Sequence, residues 1–247
     1  MIPLKDQELI QEKFARELMG PVKIDLFTER ELGITVPGKR PCQYCKPTEE
    51  MLREISGLHA SISLRVHHME DEPPEAATFG IERVPGIVLR GLDGFRLTFY
   101  GIPAGTEFPS FLETISDVSR REVLLAAESL QQLSEIKSEV SVRVFVTPTC
   151  PYCPAVARVV CQMAMVNPNI RSEIIEVNEY PELAERYNVT AVPVTVIADK
   201  VSIPGMVPEA KLVEEIVKAA GPTLEVPPGA PKRIERGKER PSGLIVP

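Results

Sequence analysis

The sequence predicts an α/β protein made of two tandem units, each a central mixed β-sheet flanked by helices. The first observation behind this prediction is a repeated C-x-x-C motif, Cys42–Cys45 and Cys150–Cys153, at an offset of 108 residues (150 − 42). The second is a Val-Pro pair after each motif, in which Pro85 and Pro193 both follow the first cysteine by 43 residues (85 − 42 and 193 − 150). Two motifs with the same internal spacing indicate a duplicated module.

Length and composition agree with two units. The chain has 247 residues and is 43% hydrophobic, which is enough for two cores of ordinary domain size. We expect one unit with the first motif over residues 1–118 and a second with the other motif over 119–220. Residues 221–247 are rich in proline, glycine and charge, a composition typical of an extended tail.

Residue spacing gives the elements of the first unit. Ile10, Phe14 and Leu18 lie four apart and predict an amphipathic helix that Gly20-Pro21 stops. A hydrophobic run follows as a strand, and the motif is expected to open the next helix. The predicted elements are a helix over 5–19, a strand over 22–28, a helix from 42 to about 58, a strand over 61–69, a helix over 73–79, a hairpin of 86–90 and 95–100, and helical residues from 107 to about 136 that bend near 117–119.

The second unit repeats this order. Its predicted elements are a strand over 141–147, a helix over 150–166, a strand over 171–177, a helix over 181–187, a hairpin of 194–198 and 201–203, and a closing helix over 208–219. In each unit the two strands that frame the motif helix should be parallel, by the crossover rule.

The net charge and the positions of the cysteines exclude some classes of function and favour others. The net charge of −7 argues against nucleic acid as a partner. The longest apolar runs are too short to cross a membrane, and the polar N-terminus does not resemble a signal peptide, so we expect a cytoplasmic protein without a membrane partner. Four of the five cysteines lie in the motifs, which favours catalysis or metal binding over a structural disulfide framework.

The two motifs are suited to thiol–disulfide exchange. The first cysteine of each is expected at a helix N-terminus, where free N–H groups and the helix dipole favour a thiolate. The second cysteine lies one turn away on the same face and can attack a mixed disulfide. We therefore assign Cys42 and Cys150 as nucleophiles, and Cys45 and Cys153 as resolving thiols.

Strand, C-x-x-C, helix and a Val-Pro before a hairpin resemble the thioredoxin and glutaredoxin fold, and Cys-Pro-Tyr-Cys is a glutaredoxin pattern. Two such units in one chain resemble the protein disulfide oxidoreductases of archaea and thermophiles, with two tandem thioredoxin folds. The resemblance implies an enzyme that reduces, forms or isomerises protein disulfides, with no organic cofactor, no metal, and a thioredoxin reductase-like flavoprotein as electron donor. It also implies cis peptide bonds at Pro85 and Pro193, with the backbones of Val84 and Val192 pairing with an extended substrate.

One more site residue and three alternatives remain open. Thioredoxins carry a buried aspartate on the strand before the motif, and Asp25 could be that proton acceptor for Cys45, or an ordinary exposed strand residue; Val144 stands at the same place in the second unit. The four motif cysteines could instead bind zinc, although zinc ribbons space such pairs about 15–20 residues apart. One unit could be inactive. The whole chain could also be a non-catalytic chaperone or adaptor.

Overall fold

The computed structural model describes residues 2–30, 42–71 and 73–221, and the predicted tail lies outside them. The first half has these elements: α1 (Leu4–Glu17), β1 (Val22–Thr28), α2 (Cys45–Gly57), β2 (Ile62–His68), α3 (Pro73–Phe79), β3 (Gly86–Arg90), β4 (Leu97–Tyr100) and α4 (Glu107–Arg120). The second half has α5 (Ala127–Ser134), β5 (Val140–Val146), α6 (Cys153–Val166), β6 (Ile170–Glu176), α7 (Pro181–Arg186), β7 (Val194–Ile197), β8 (Val201–Pro204) and α8 (Glu209–Ala220). This order confirms the predicted repeat.

One continuous sheet runs through both halves, in the order β2-β1-β3-β4-β6-β5-β7-β8. Within each half the framing strands are parallel, β1 with β2 and β5 with β6, as the crossover rule predicts. The halves join where β4 runs parallel to β6, with Leu97 opposite Ser172 and Tyr100 opposite Ile175. The sequence predicts two sheets, and the structure makes them one because β4 and β6 each have an edge free for pairing.

The sheet buries a different core on each face. The larger core includes Ile24 and Leu26 of β1 and packs them with Leu52 of α2. The smaller core contains Phe27 of β1, together with residues of α3 and α7. Because side chains alternate along a strand, Asp25 shares the face of Phe27, opposite to the face that α2 covers.

Both motif helices start later than predicted. They begin at the second cysteines, Cys45 and Cys153, after Tyr44 and Tyr152. In the second motif the backbone N–H of Cys153 donates to Sγ of Cys150, at 3.1 Å, so the first cysteine lies in the turn before the helix. It still receives an N–H group of the helix N-terminus, which is the reason for its assignment as the nucleophile.

Helix α4 ties the halves together. It ends at Arg120, and the next residue, Arg121, has a positive φ of 59°, so the break falls after the predicted bend near 117–119. The predicted boundary at 118/119 lies inside this helix, and that division stays a prediction. Asp117 of α4 is buried and accepts hydrogen bonds from Arg158 at 2.8 Å and from Gln162 at 2.9 Å, both on α6. Breaking such a buried charged pair typically costs about 3–5 kcal/mol.

Across the described ranges, none of the helices is both long enough and apolar enough to cross a membrane.

Candidate active site

The four motif cysteines form two disulfides, Cys42–Cys45 and Cys150–Cys153, each with its Cα atoms 5.5 Å apart. In both pairs the first cysteine is the more accessible. Cys42 is half-buried while Cys45 is 4% exposed, and Cys150 is 7% exposed while Cys153 is fully buried. This difference supports the proposed order of attack, because an incoming disulfide can reach only an accessible sulfur.

A cis peptide bond precedes both predicted prolines, Val84-Pro85 and Val192-Pro193. This confirms the predicted isomer at both sites. In the second site the carbonyl oxygen of Val192 lies 3.7 Å from Sγ of Cys150, so the residue before the cis-proline lies beside the nucleophile.

The first site differs in its immediate contacts. The backbone N–H of Cys42 donates to the carboxylate of Glu29, just after β1. The carbonyl of cis-Pro85 accepts two hydrogen bonds, one from the N–H of Gly101 at 3.0 Å and one from the hydroxyl of Tyr180 at 3.1 Å. Tyr180 belongs to the second half, so a residue of that half contacts the cis-proline loop of the first.

Residues at the start of α4, in the first half, donate hydrogen bonds to the backbone around the second motif. The N–H of Thr106 donates to the carbonyl of Pro148 at 2.8 Å, and its hydroxyl donates to the carbonyl of Cys150 at 2.8 Å. Gly105 allows this close approach, since a Cβ there would lie 2.2 Å from the Pro148 oxygen. One turn on, the hydroxyl of Ser110 donates to the carbonyl of Pro154.

A buried carboxyl lies in the same turn of α4. Glu107 falls between Thr106 and Ser110, is 5% exposed, and its Oε1 has no hydrogen-bond partner among the described residues. Burial raises the pKa of Glu107 from 4.5 to about 7. It lines a small cavity with Val146, the last residue of β5, and with Glu176; the cavity leaves about 10 Å³ for the centre of a water molecule, close to the minimum for one water.

Sequence reasoning missed Glu107 because it lies outside both motif neighbourhoods in the chain. Its neighbours Thr106 and Ser110 contact the second motif only because α4 packs on α6. A sequence signal did exist, since Glu107 precedes Cys150 by the same 43 residues (150 − 107) that separate each motif from its proline. Nothing in the chain alone gives that spacing a meaning.

Asp25 is buried, at 1% exposure, which rules out the exposed alternative, but the structure does not bring it to Cys45. Its carboxylate accepts hydrogen bonds from Arg90, with Nε at 2.8 Å, and lies 3.0 Å from Nε2 of His67. His67 also stacks on Phe27, with ring centroids 4.6 Å apart. The whole group lies on the face of the sheet away from α2, so the proposed role of Asp25 as proton acceptor has no geometric support here.

Strand pairing also corrects the expected equivalence of Asp25 with Val144. Asp25 lies opposite Arg65 and Val88, and Arg143 lies at the same register opposite Glu173 and Val196. The counterpart of Asp25 is therefore Arg143, and Val144 corresponds to Leu26. The mismatch arose because the predicted strand began at 141, one residue after β5 begins at Val140, so that counting along the strand matched Val144 with Asp25.

The fifth cysteine, Cys161 on α6, is a buried core thiol, and burial raises its pKa. No group of three or more His, Cys, Asp and Glu side chains suited to a metal ion occurs in the described part of the chain. Arg40, two residues before Cys42 in the sequence, lies outside the described residues.

Comparison with known proteins agrees with this geometry. The family model described as a thioredoxin domain matches residues 140–218. A protein disulfide oxidoreductase from Aeropyrum pernix has a similar structure, with a TM-score of 0.77 and 26% identity, over 88% of this chain and 93% of that one. The NTD_N/C domain of alkylhydroperoxide reductase from Enterococcus faecalis has a TM-score of 0.76 and 23% identity, over 87% of this chain and all of that one.

Among curated relatives, an alkyl hydroperoxide reductase component of Staphylococcus aureus is 30% identical over 148 residues, which is 60% of this chain and 27% of that protein. A protein named NADH dehydrogenase from Bacillus subtilis is 29% identical over 59% of this chain and 27% of its own length. The chain thus spans about a quarter of the length of these relatives. Fold, paired cysteines and neighbours agree: the chain has a thioredoxin-like fold with two C-x-x-C-bearing halves, and it is similar to a protein disulfide oxidoreductase.

Proposed function

We propose that the protein exchanges disulfides with protein substrates at both sites, reducing, forming or isomerising them according to the redox poise around it. The observation that carries this proposal is the pairing, in each half, of a first cysteine that is more exposed than the buried second cysteine with a cis-proline loop. An extended substrate strand could add to the backbone of Val84 or Val192 and bring its disulfide to the nucleophile.

One pair of thiols supplies both electrons that the reduction of a substrate disulfide requires. The thiolate of Cys42 or Cys150 attacks one sulfur of the substrate disulfide, and the other substrate sulfur leaves as a thiolate that takes up a proton. The buried second cysteine loses its proton and attacks the mixed disulfide, which releases the first substrate sulfur. Two electrons pass to the substrate, and the protein is left with the intramolecular disulfide that the structure contains.

Glu107 is the proposed proton acceptor for Cys153. Resolution requires a base, because Cys153 is fully buried and its thiol cannot pass a proton directly to bulk water. With a pKa of about 7, Glu107 can hold or release a proton near neutral pH. Its place on α4, between two residues that bond the backbone of the second motif, supports this role.

The electron donor is proposed to be a flavoprotein resembling thioredoxin reductase. Support comes from the curated relatives, which are named as a hydroperoxide reductase component and as an NADH dehydrogenase and are about four times as long as the matched segment. This electron donor can be tested by mixing such a reductase with this chain and monitoring the oxidation of NADH or NADPH by absorbance. A rate that does not depend on the four cysteines would exclude it.

Insulin reduction by dithiothreitol tests the activity itself. We expect the protein to accelerate insulin precipitation, and each single-site protein, Cys42→Ser/Cys45→Ser or Cys150→Ser/Cys153→Ser, to keep part of the rate. The protein with all four substitutions is the control and should be inactive. Acceleration that survives in that protein would favour a non-catalytic chaperone or adaptor.

A further inference from the structure

We propose that Tyr180, in the second half of the chain, is a positioning residue for substrate binding at the first site. The inference rests on the proposed function, in which the cis-Pro85 loop receives the substrate strand. The structure shows the phenol of Tyr180 donating a buried hydrogen bond to the carbonyl of Pro85, at 3.1 Å. The loop is thus fixed from outside its own half.

The contact is built to be rigid. Tyr180 is buried, and its ring packs edge-on against Tyr100, with centroids 6.2 Å apart. The neighbouring Glu179 accepts a hydrogen bond from the N–H of Ile102 at 2.6 Å, which fixes the backbone on both sides of the join. Burial raises the pKa of Tyr180, so its hydroxyl stays a donor at working pH.

The hydrogen bond from Tyr180 is one of two that the Pro85 carbonyl accepts. The Pro85 carbonyl also accepts the N–H of Gly101 at 3.0 Å, so removing the phenol oxygen leaves no unpaired carbonyl. Loss of the hydroxyl should therefore change how firmly the loop is held without unfolding it. A loop that moves can still bind substrate, but it must first be ordered, and that cost lowers affinity.

The second site lacks this support among the described residues, and the sheet order explains why. The halves follow one another in the same direction, so the β6 side of the second half meets β4 of the first, while β8 pairs only with β7 among the described strands. The carbonyl of Pro193 accepts the N–H of Gly205 at 2.7 Å, the counterpart of the Gly101 bond. In the described part of the sheet, no third unit pairs with β8 to supply a tyrosine.

The test compares Tyr180→Phe in two backgrounds. In the first-site-only protein, Cys150→Ser/Cys153→Ser, we expect the KM for insulin to rise roughly threefold to tenfold, the range of one neutral hydrogen bond. The kcat should stay within about twofold, and turnover of hydroxyethyl disulfide, too small to pair with Val84, should not change. In the second-site-only protein, Cys42→Ser/Cys45→Ser, the same substitution should leave the KM unaltered.

Tyr100→Phe is the matched control. It removes a hydroxyl from the same buried ring pair, but that hydroxyl is bonded to the carbonyl of Gly80 at 3.4 Å and not to the cis-proline loop. An unchanged KM with Tyr180→Phe in an active first-site-only protein would overturn the inference alone. Equal losses in both backgrounds, or with Tyr100→Phe, would reduce Tyr180 to a structural role and also overturn it. A first-site-only protein with no activity would refute the proposed function, and this inference with it.

Discussion

Replacing Glu107 by glutamine tests the proposed proton route most directly. The substitution keeps the shape of the side chain and removes its titration. Because Glu107 is almost fully buried, the step of its pKa from 4.5 to about 7 corresponds to roughly 3 kcal/mol. The raised pKa means that the folded state holds the proton more tightly than the unfolded state. The stabilisation is therefore complete below pH 4.5, falls as the pH rises, and is lost above about pH 7.

Two measurements test the raised pKa of Glu107 and its proposed role as a base. Chemical denaturation between pH 4.5 and 8 should show a loss of unfolding free energy in the wild type that is smaller by roughly 3 kcal/mol in Glu107→Gln. In the second-site-only background, the rate of mixed-disulfide resolution should fall by at least about tenfold, within the range for loss of a general base. The limb of the pH–rate profile near pH 7 should disappear.

Glu179→Gln is the matched control for the rate. Burial raises the pKa of Glu179 to about 7 as well, but its carboxylate bonds the N–H of Ile102 and not the second motif region. It should share the effect on stability and leave the pH–rate profile of the second site intact. If Glu107→Gln changes the stability curve but not that profile, Glu107 is only a buried acid and the proton from Cys153 takes another route.

Three further predictions concern the cysteines and the buried charges. Brief alkylation of the reduced protein at mildly acid pH should label Cys42 and Cys150 before Cys45 and Cys153; mass mapping of the adducts that gives the reverse order would contradict the assignment. Asp25→Asn should cost about 1–3 kcal/mol in unfolding free energy, because the amide keeps only one of the two acceptor oxygens that bond Arg90 and His67 and carries no negative charge. It should leave the pH–rate profile of the first-site-only protein unchanged; a shifted profile would restore Asp25 as the base. Asp117→Ala should cost about 3–5 kcal/mol by the same denaturation assay, and a smaller effect than that of Asp25→Asn would show that the bond between α4 and α6 is not what holds the halves together.

The order of elements was predictable because local signals repeat. Strand β1 and helix α3 match their predicted bounds, since hydrophobic runs and flanking prolines define them. The cis bonds at Pro85 and Pro193 also followed from the family pattern. In contrast, the late start of α2 and α6 depends on the turn that the motif itself makes, where a sulfur replaces a backbone acceptor.

The sequence could not show the contacts between the two halves. The parallel pairing of β4 with β6 joins residues that are far apart in the chain and leaves no local pattern. Tyr180 contacts the cis-proline loop of the other half, and Thr106 and Ser110, which flank Glu107, contact the second motif. A reading of each repeat by itself therefore assigns these residues nothing. The face of the sheet that α2 covers likewise depends on packing, so the alternation along β1 could not by itself show that Asp25 lies on the opposite face.

The reversed charge at the fourth position of the two equivalent strands bears on how a duplicated chain avoids mispairing with itself. Asp25 in β1 faces Arg90, whereas Arg143 in β5 bonds Glu173 at 2.5 Å and also contacts Asp199. If β1 took the position of β5 in the sheet, the carboxylate of Asp25 would lie against the carboxylates of Glu173 and Asp199 in a half-buried site. If β5 took the position of β1, Arg143 would lie against Arg90. Each strand thus carries a charge that its own slot neutralises and the wrong slot repels, which makes the two repeats distinguishable during folding although their backbones are alike.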